Sequence, residues 1–183
     1  MRRAAAILLL LPCLLLDGCL CLERATYDLR RIEDDDFSYE IVYRNIQSAS
    51  ETRADQERDW QDLLKMLHSD GALLEAAQEG RYIRDRKLAI EDGVVVARES
   101  GLIRLRPASS SRMPILERRA DGRFVARIEG GDLYESSNGT WRPDSHFVTW
   151  PANAKHLALT TRMSDFRPTA SLVQRLAREK AMK

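Results

Sequence analysis

The stretch ATYDLRRIEDDDFSYEIVY, residues 25–43, decides the fold. Ala25, Tyr27 and Leu29 alternate with Thr26, Asp28 and Arg30. Phe37, Tyr39, Ile41 and Tyr43 resume the same period after an acidic interruption, Glu33-Asp34-Asp35-Asp36. A period of two puts alternate side chains on opposite faces of a strand, so the pattern predicts two half-buried strands over 23–48 with a tight connection at the acidic run. Carboxylates in a row also suit a hard cation such as calcium. This run has neither the spaced ligands nor the glycine of an EF-hand loop, and a solvated turn is the expectation.

Residues 51–79 change period. Trp60, Leu63, Leu64 and Leu67 recur three and four apart, which lines up one apolar stripe on a helix. Ser50 stands where a cap is needed, and Glu51 complements the positive end of the helix dipole. Asp70-Gly71 predicts a break or kink, Leu73, Leu74 and Ala77 resume the stripe, and Gly80 is placed to end it. The expectation is that this stripe packs on the chain's own sheet rather than forming a groove for a partner.

From residue 81 to 160 the chain reads as an antiparallel meander. Asp92-Gly93, Asp121-Gly122 and Asn138-Gly139 are dipeptides that tolerate the positive φ of primed hairpin turns. Leu88 and Ile90 face Val94 and Val96 across the first. Ile115 precedes the second, and Phe124, Val125 and Ile128 follow it. Leu133 and Tyr134 lead to Trp141 across the third. Pro107 and Pro114 flank a serine-rich loop, 109–111, expected to be exposed. Residues 147–159 supply one or two last strands, broken at Pro151-Ala152-Asn153. Leu172, Val173, Leu176 and Ala177 predict a short terminal helix. The fold class expected is therefore α+β: an antiparallel sheet meander with one long packed helix and a short C-terminal helix.

Charge narrows the function classes. The chain has 29 basic and 28 acidic residues, and removing residues 1–18 takes away Arg2, Arg3 and Asp17, leaving 27 of each. A nucleic-acid partner calls for a basic excess on one face; none is visible in the sequence, and no nucleic-acid partner is expected.

The reactive residue types are sparse. His68, His146 and His156 are the only histidines, and no pair of them has the i, i+4 spacing of a zinc metalloprotease helix. No Gly-x-Ser-x-Gly elbow occurs, and Ser136 and Ser137 read as turn formers. Gly130-Gly131 is a hairpin glycine pair rather than a phosphate cradle. Trp141, Trp150 and Phe147 have the faces to line a sugar or lipid pocket, although core packing is the expectation. No catalytic, cofactor-binding or metal residue is assigned.

The amino terminus carries the one specific signal. Arg2 and Arg3 precede an apolar run, Ala4 to Leu16, that is too short to span a bilayer of about 30 Å and matches a signal-peptide core. Leu16-Asp17-Gly18-Cys19 follows. This resembles the lipobox of bacterial lipoproteins, with Leu16 three residues before the acceptor, Gly18 immediately before it and Cys19 as the acceptor. Asp17 departs from the pattern, standing where a small or apolar residue is usual.

The resemblance implies cleavage before Cys19 and fatty acylation of that residue, palmitate included, as a membrane anchor. Leu20, rather than Asp, after the acceptor implies the outer membrane, facing the periplasm. Cys13 leaves with the signal and Cys19 is consumed, so Cys21 alone remains and no intrachain disulfide is expected in the mature domain. In a plain secreted protein from a eukaryote, Asn138-Gly139-Thr140 would instead be a glycan acceptor.

The expected organisation is a signal peptide over 1–18, a lipidated terminus and short tether over 19–24, and a single α+β domain over 25–183. The expected function is a non-enzymatic envelope lipoprotein that binds an envelope protein partner or helps assemble a complex. The alternatives are a carrier or sensor for a small apolar ligand, and a hydrolase with an unfamiliar site.

Overall fold

A computed structural model describes residues 20–78, 80–105, 116–128 and 132–182. The expected signal peptide, Cys19, the serine-rich loop and Gly130-Gly131 lie outside the described residues.

The alternation at the start of the chain builds β1 (Leu20–Glu33) and β2 (Asp36–Ser48), paired antiparallel from Glu33↔Asp36 to Leu20↔Ser48. The acidic run makes the turn between them, as its composition predicts. Two of its carboxylates are taken by arginines: Arg118 donates to Asp35 at 2.7 Å, and Arg104 donates to both oxygens of Asp36 at 2.6 Å.

The helical segment is two helices, α1 (Arg53–His68) and α2 (Asp70–Gln78). Thr52, not Ser50, is the N-cap, its Oγ1 accepting from the Asp55 amide at 3.1 Å. Ser50 is buried instead, and its carbonyl accepts from Gln56 and Thr169. Ser69 turns extended between the helices, and its hydroxyl accepts from the Ala72 amide at 3.1 Å, which starts α2 afresh. Gly80 ends the segment with φ of 84°.

β3 (Arg81–Glu91) and β4 (Val94–Arg104) follow as a hairpin. Asp92 and Gly93 both have positive φ, 51° and 77°, as a primed two-residue turn requires. The remaining strands are β5 (Glu117–Arg118), β6 (Phe124–Arg127), β7 (Asp132–Ser137), β8 (Thr140–Arg142), β9 (Phe147–Trp150), β10 (His156–Met163) and β11 (Ala170–Ser171). The helix α3 (Val173–Ala181) closes the chain.

These strands do not continue one meander. The main sheet has seven strands in the order β3-β4-β2-β1-β10-β7, with β11 beside the end of β2, and β5-β6-β9-β8 form a separate four-stranded sheet. Every pairing is antiparallel, and the main sheet is open. The fold is broadly α+β and mostly antiparallel sheet.

The physical cause of the split is burial. Phe124, Ala126, Val148 and Trp150 form an apolar face on the small sheet, and they join one core with Phe37, Tyr39, Ile41, Leu157 and Leu159 of the main sheet. Phe37 and Phe124 meet edge to face at 5.4 Å, and both are fully buried. A continued meander would leave that second apolar face in water, at a cost of about 1.5–3 kcal/mol for each large side chain. Trp60 and Leu63 of α1, with Leu172 and Leu176 at α3, belong to the same core. Asp59 of α1 is buried and accepts from the Ser48 hydroxyl, and Arg175 of α3 pairs with Glu57 of α1.

Candidate functional site

The root of β1 comes first, because the lipidation expectation falls on the residue before it. β1 begins at Leu20. Residues 20–24, expected as a tether, are paired strand: Leu20 opposes Ser48, Cys21 opposes Gln47 and Leu22 opposes Ile46. Leu20 and Cys21 are each only 8% exposed. Leu20-Cys21-Leu22 shows no polar alternation, so in the sequence it merges with the apolar run before it and carries no strand signal.

A second constellation has no counterpart in the sequence reading. Glu99 of β4 is buried at the centre of an ionic cluster. Its Oε1 accepts from Arg81 at 2.6 Å and from the Tyr39 hydroxyl at 2.8 Å, and its Oε2 accepts from Arg86 at 2.7 Å. Arg86 also donates to the Met66 carbonyl in α1 at 2.7 Å. The cluster therefore joins β2, β3 and β4 to the last turn of α1. Both carboxylate oxygens are occupied, so the arrangement suits fastening better than proton transfer.

Tyrosines extend this interior. Burial pushes the Tyr39 phenol well above its ordinary range, and the neighbouring Glu99 charge adds to the effect. Burial does the same to Tyr43 and Tyr27. The Tyr43 hydroxyl is buried without a hydrogen-bond partner among the described residues. Asp132, near Tyr27, is also raised by desolvation, against a lowering hydrogen bond from Thr161.

The three histidines stand apart. His68 ends α1, His146 follows a 3₁₀ turn with φ of 54°, and His156 opens β10. His156 Nε2 lies 2.7 Å from Asp28 on the outer side of the main sheet, and both side chains are partly exposed. No group of three His, Cys, Asp or Glu able to hold a metal gathers among the described residues.

The aromatics also separate. Trp150 is in the core, and Trp141 stacks on Tyr134 at 4.6 Å with the rings 4° from parallel. Phe147 carries the guanidinium groups of Arg119 and Arg127 at 5.3 and 4.9 Å from its ring centre. The three residues considered for a pocket thus serve three different contacts.

Asn138-Gly139 is not a hairpin turn. Neither residue has positive φ, and the pair carries the chain from β7 in the main sheet to β8 in the small one. Asn138 Oδ1 accepts from Trp150 Nε1 at 2.7 Å and from the Ala158 amide at 2.8 Å, while Nδ2 donates to the His156 carbonyl at 3.1 Å. The side chain thus ties the two sheets together. Nδ2, the atom a glycan would take, already donates to the His156 carbonyl.

No helix among the described residues is long and apolar enough to cross a membrane. No protein-family profile, curated protein or solved structure matches this chain.

Proposed function

We propose that the chain is a lipid-anchored envelope protein with a binding or assembly role rather than a catalytic one. Cys19 is the attachment point, and the outer membrane, periplasmic side, is its address. The resemblance of Leu16-Asp17-Gly18-Cys19 to a lipobox motivates the anchor.

One observation carries the geometry: Leu20, the residue directly after the acceptor, is paired with Ser48 in β1. An acylated Cys19 would then hold the domain against the headgroups through its own central strand, with no free segment after the acceptor. Acyl burial contributes about 0.8 kcal/mol for each methylene, so two or more chains make such attachment stable. The occupied carboxylates of the Glu99 cluster and the separated histidines support a non-catalytic role.

The test is fractionation of Cys19→Ser against the parent, with the mass of the mature amino terminus. The parent is expected to sediment with membranes and to carry an acylated Cys19, and the serine variant to move to the soluble fraction. Unchanged sedimentation of the variant would overturn the anchor. Crosslinking in intact envelopes tests the binding role, since recovery of no specific partner counts against it.

A further inference from the structure

We propose that Asn138-Gly139 is a deamidation site whose chemistry the fold holds closed, so that it reacts only in chains where the seam between the two sheets has opened. The inference is independent of the anchor.

Asparagine before glycine is the arrangement in which backbone attack on the carboxamide is least obstructed, because glycine has no Cβ. In the reaction the deprotonated Gly139 nitrogen attacks Asn138 Cγ. The new N–Cγ bond forms, the Cγ–Nδ2 bond breaks, and ammonia leaves with the proton that the amide gave up. Water then opens the succinimide at either carbonyl, leaving aspartate or isoaspartate at position 138.

Each participant is engaged in the native chain. The Gly139 amide, which must become the nucleophile, donates to the Ser137 hydroxyl at 2.9 Å. The carboxamide is held at both ends, Oδ1 by Trp150 Nε1 and the Ala158 amide, and Nδ2 by the His156 carbonyl. The Trp150 ring that holds Oδ1 also packs on Gly139 so closely that a Cβ there would lie 2.7 Å from it. One indole therefore clamps both the carboxamide and the residue that would attack it.

Those bonds come from β9 and β10, in different sheets, so ring closure requires both sheets to release the corner. The product cannot restore it. A carboxylate at 138 loses the donor to His156, and isoaspartate adds a methylene to the main chain where it crosses between sheets.

The experiment follows the full-length protein in mildly alkaline buffer, folded and in urea, by peptide mass and an isoaspartate assay at position 138. Asn138→Gln serves as the unreactive control. Deamidation is expected to be slower in the folded protein by at least about tenfold, each tenfold corresponding to about 1.4 kcal/mol of opening free energy. Ser137→Ala, which frees the Gly139 amide, should accelerate the folded-state reaction and leave the rate in urea unchanged. Where that variant does not fold, Trp150→Phe removes the Oδ1 donor and keeps a ring in place, with the same expectation. Equal rates in folded and unfolded protein would overturn the proposal. A folded variant that reacts no faster than the parent would do so as well.

Discussion

At the scale of single residues, one glycine in β4 is required by its neighbours rather than by its own backbone angle. Gly101 lies in β4 opposite Ile83, and a Cβ built on it would meet the Tyr82 carbonyl oxygen at 2.1 Å and the Ile83 Cα at 3.1 Å. Both obstacles are backbone, so no rotamer change relieves them. Gly101→Ala is expected to destabilise the protein by about 2–3 kcal/mol, read as a lower urea midpoint with unchanged slope. At Gly93 a Cβ would meet nothing within 4 Å, although φ is 77°. Alanine there carries only the left-handed strain of about 1–2 kcal/mol. The Asp92-Gly93 turn is legible because its requirement is a backbone angle belonging to the residues themselves. Gly101 is opaque because its requirement comes from a strand 18 residues earlier in register.

At the scale of elements, the Glu99 cluster fastens α1 to the sheet. Arg81 and Arg86 differ in parity, so a regular strand would send them to opposite faces. The register of β3 shifts between Ile83 and Asp85, and this bulge brings both arginines to Glu99. Nothing in the residue types announces a bulge, which explains why sequence reading misses the cluster. Glu99→Ala would leave two largely buried guanidinium groups without their shared carboxylate. Its expected cost is about 3–5 kcal/mol in urea unfolding, because breaking a buried ion set strands the remaining charge. Glu99→Gln, which keeps the shape and one acceptor oxygen but turns the other into an NH2 donor facing an arginine, should cost less. An equal cost for both variants would show that charge, not packing, is what Glu99 supplies. The helix boundary has a similar lesson: Ser50 and Thr52 are both competent caps by composition, and the burial of Ser50 beside Thr169 leaves the role to Thr52.

At the scale of the whole molecule, the enclosed tyrosines set an alkaline limit. Burial raises the phenols of Tyr27, Tyr39 and Tyr43 above the ordinary value of 10.0. Below about pH 10 these phenols are neutral in both states and stability is fully present. Above it the unfolded chain ionises first, so stability falls as pH rises toward the folded-state values. Urea midpoints are expected to be level up to about pH 10 and to drop beyond it, each such phenol contributing up to about 1.36 kcal/mol per pH unit. Tyr43→Phe should flatten that drop at little cost near neutrality, because its buried hydroxyl gives up no hydrogen bond among the described residues. A drop of unchanged steepness in the variant would show that Tyr43 does not take part.

Features with local causes are legible in the residues alone: the paired strands around the acidic turn, the stripe of Trp60 and Leu63, the Asp92-Gly93 hairpin and the helix near the carboxyl end. The resemblance of Leu16 to Cys19 to a lipobox, which is a proposal, likewise rests on local residue types. Period, cap and turn propensities reside in neighbouring side chains, so a short window contains them. Contacts between distant segments settle the rest: that β10 lies beside β1, that β5, β6, β8 and β9 form a second sheet, that Asn138 ties that sheet to the first, and that Glu99 gathers its arginines. Those arrangements depend on which apolar faces exclude water against each other and on where a register slips. No stretch of neighbouring residues encodes either.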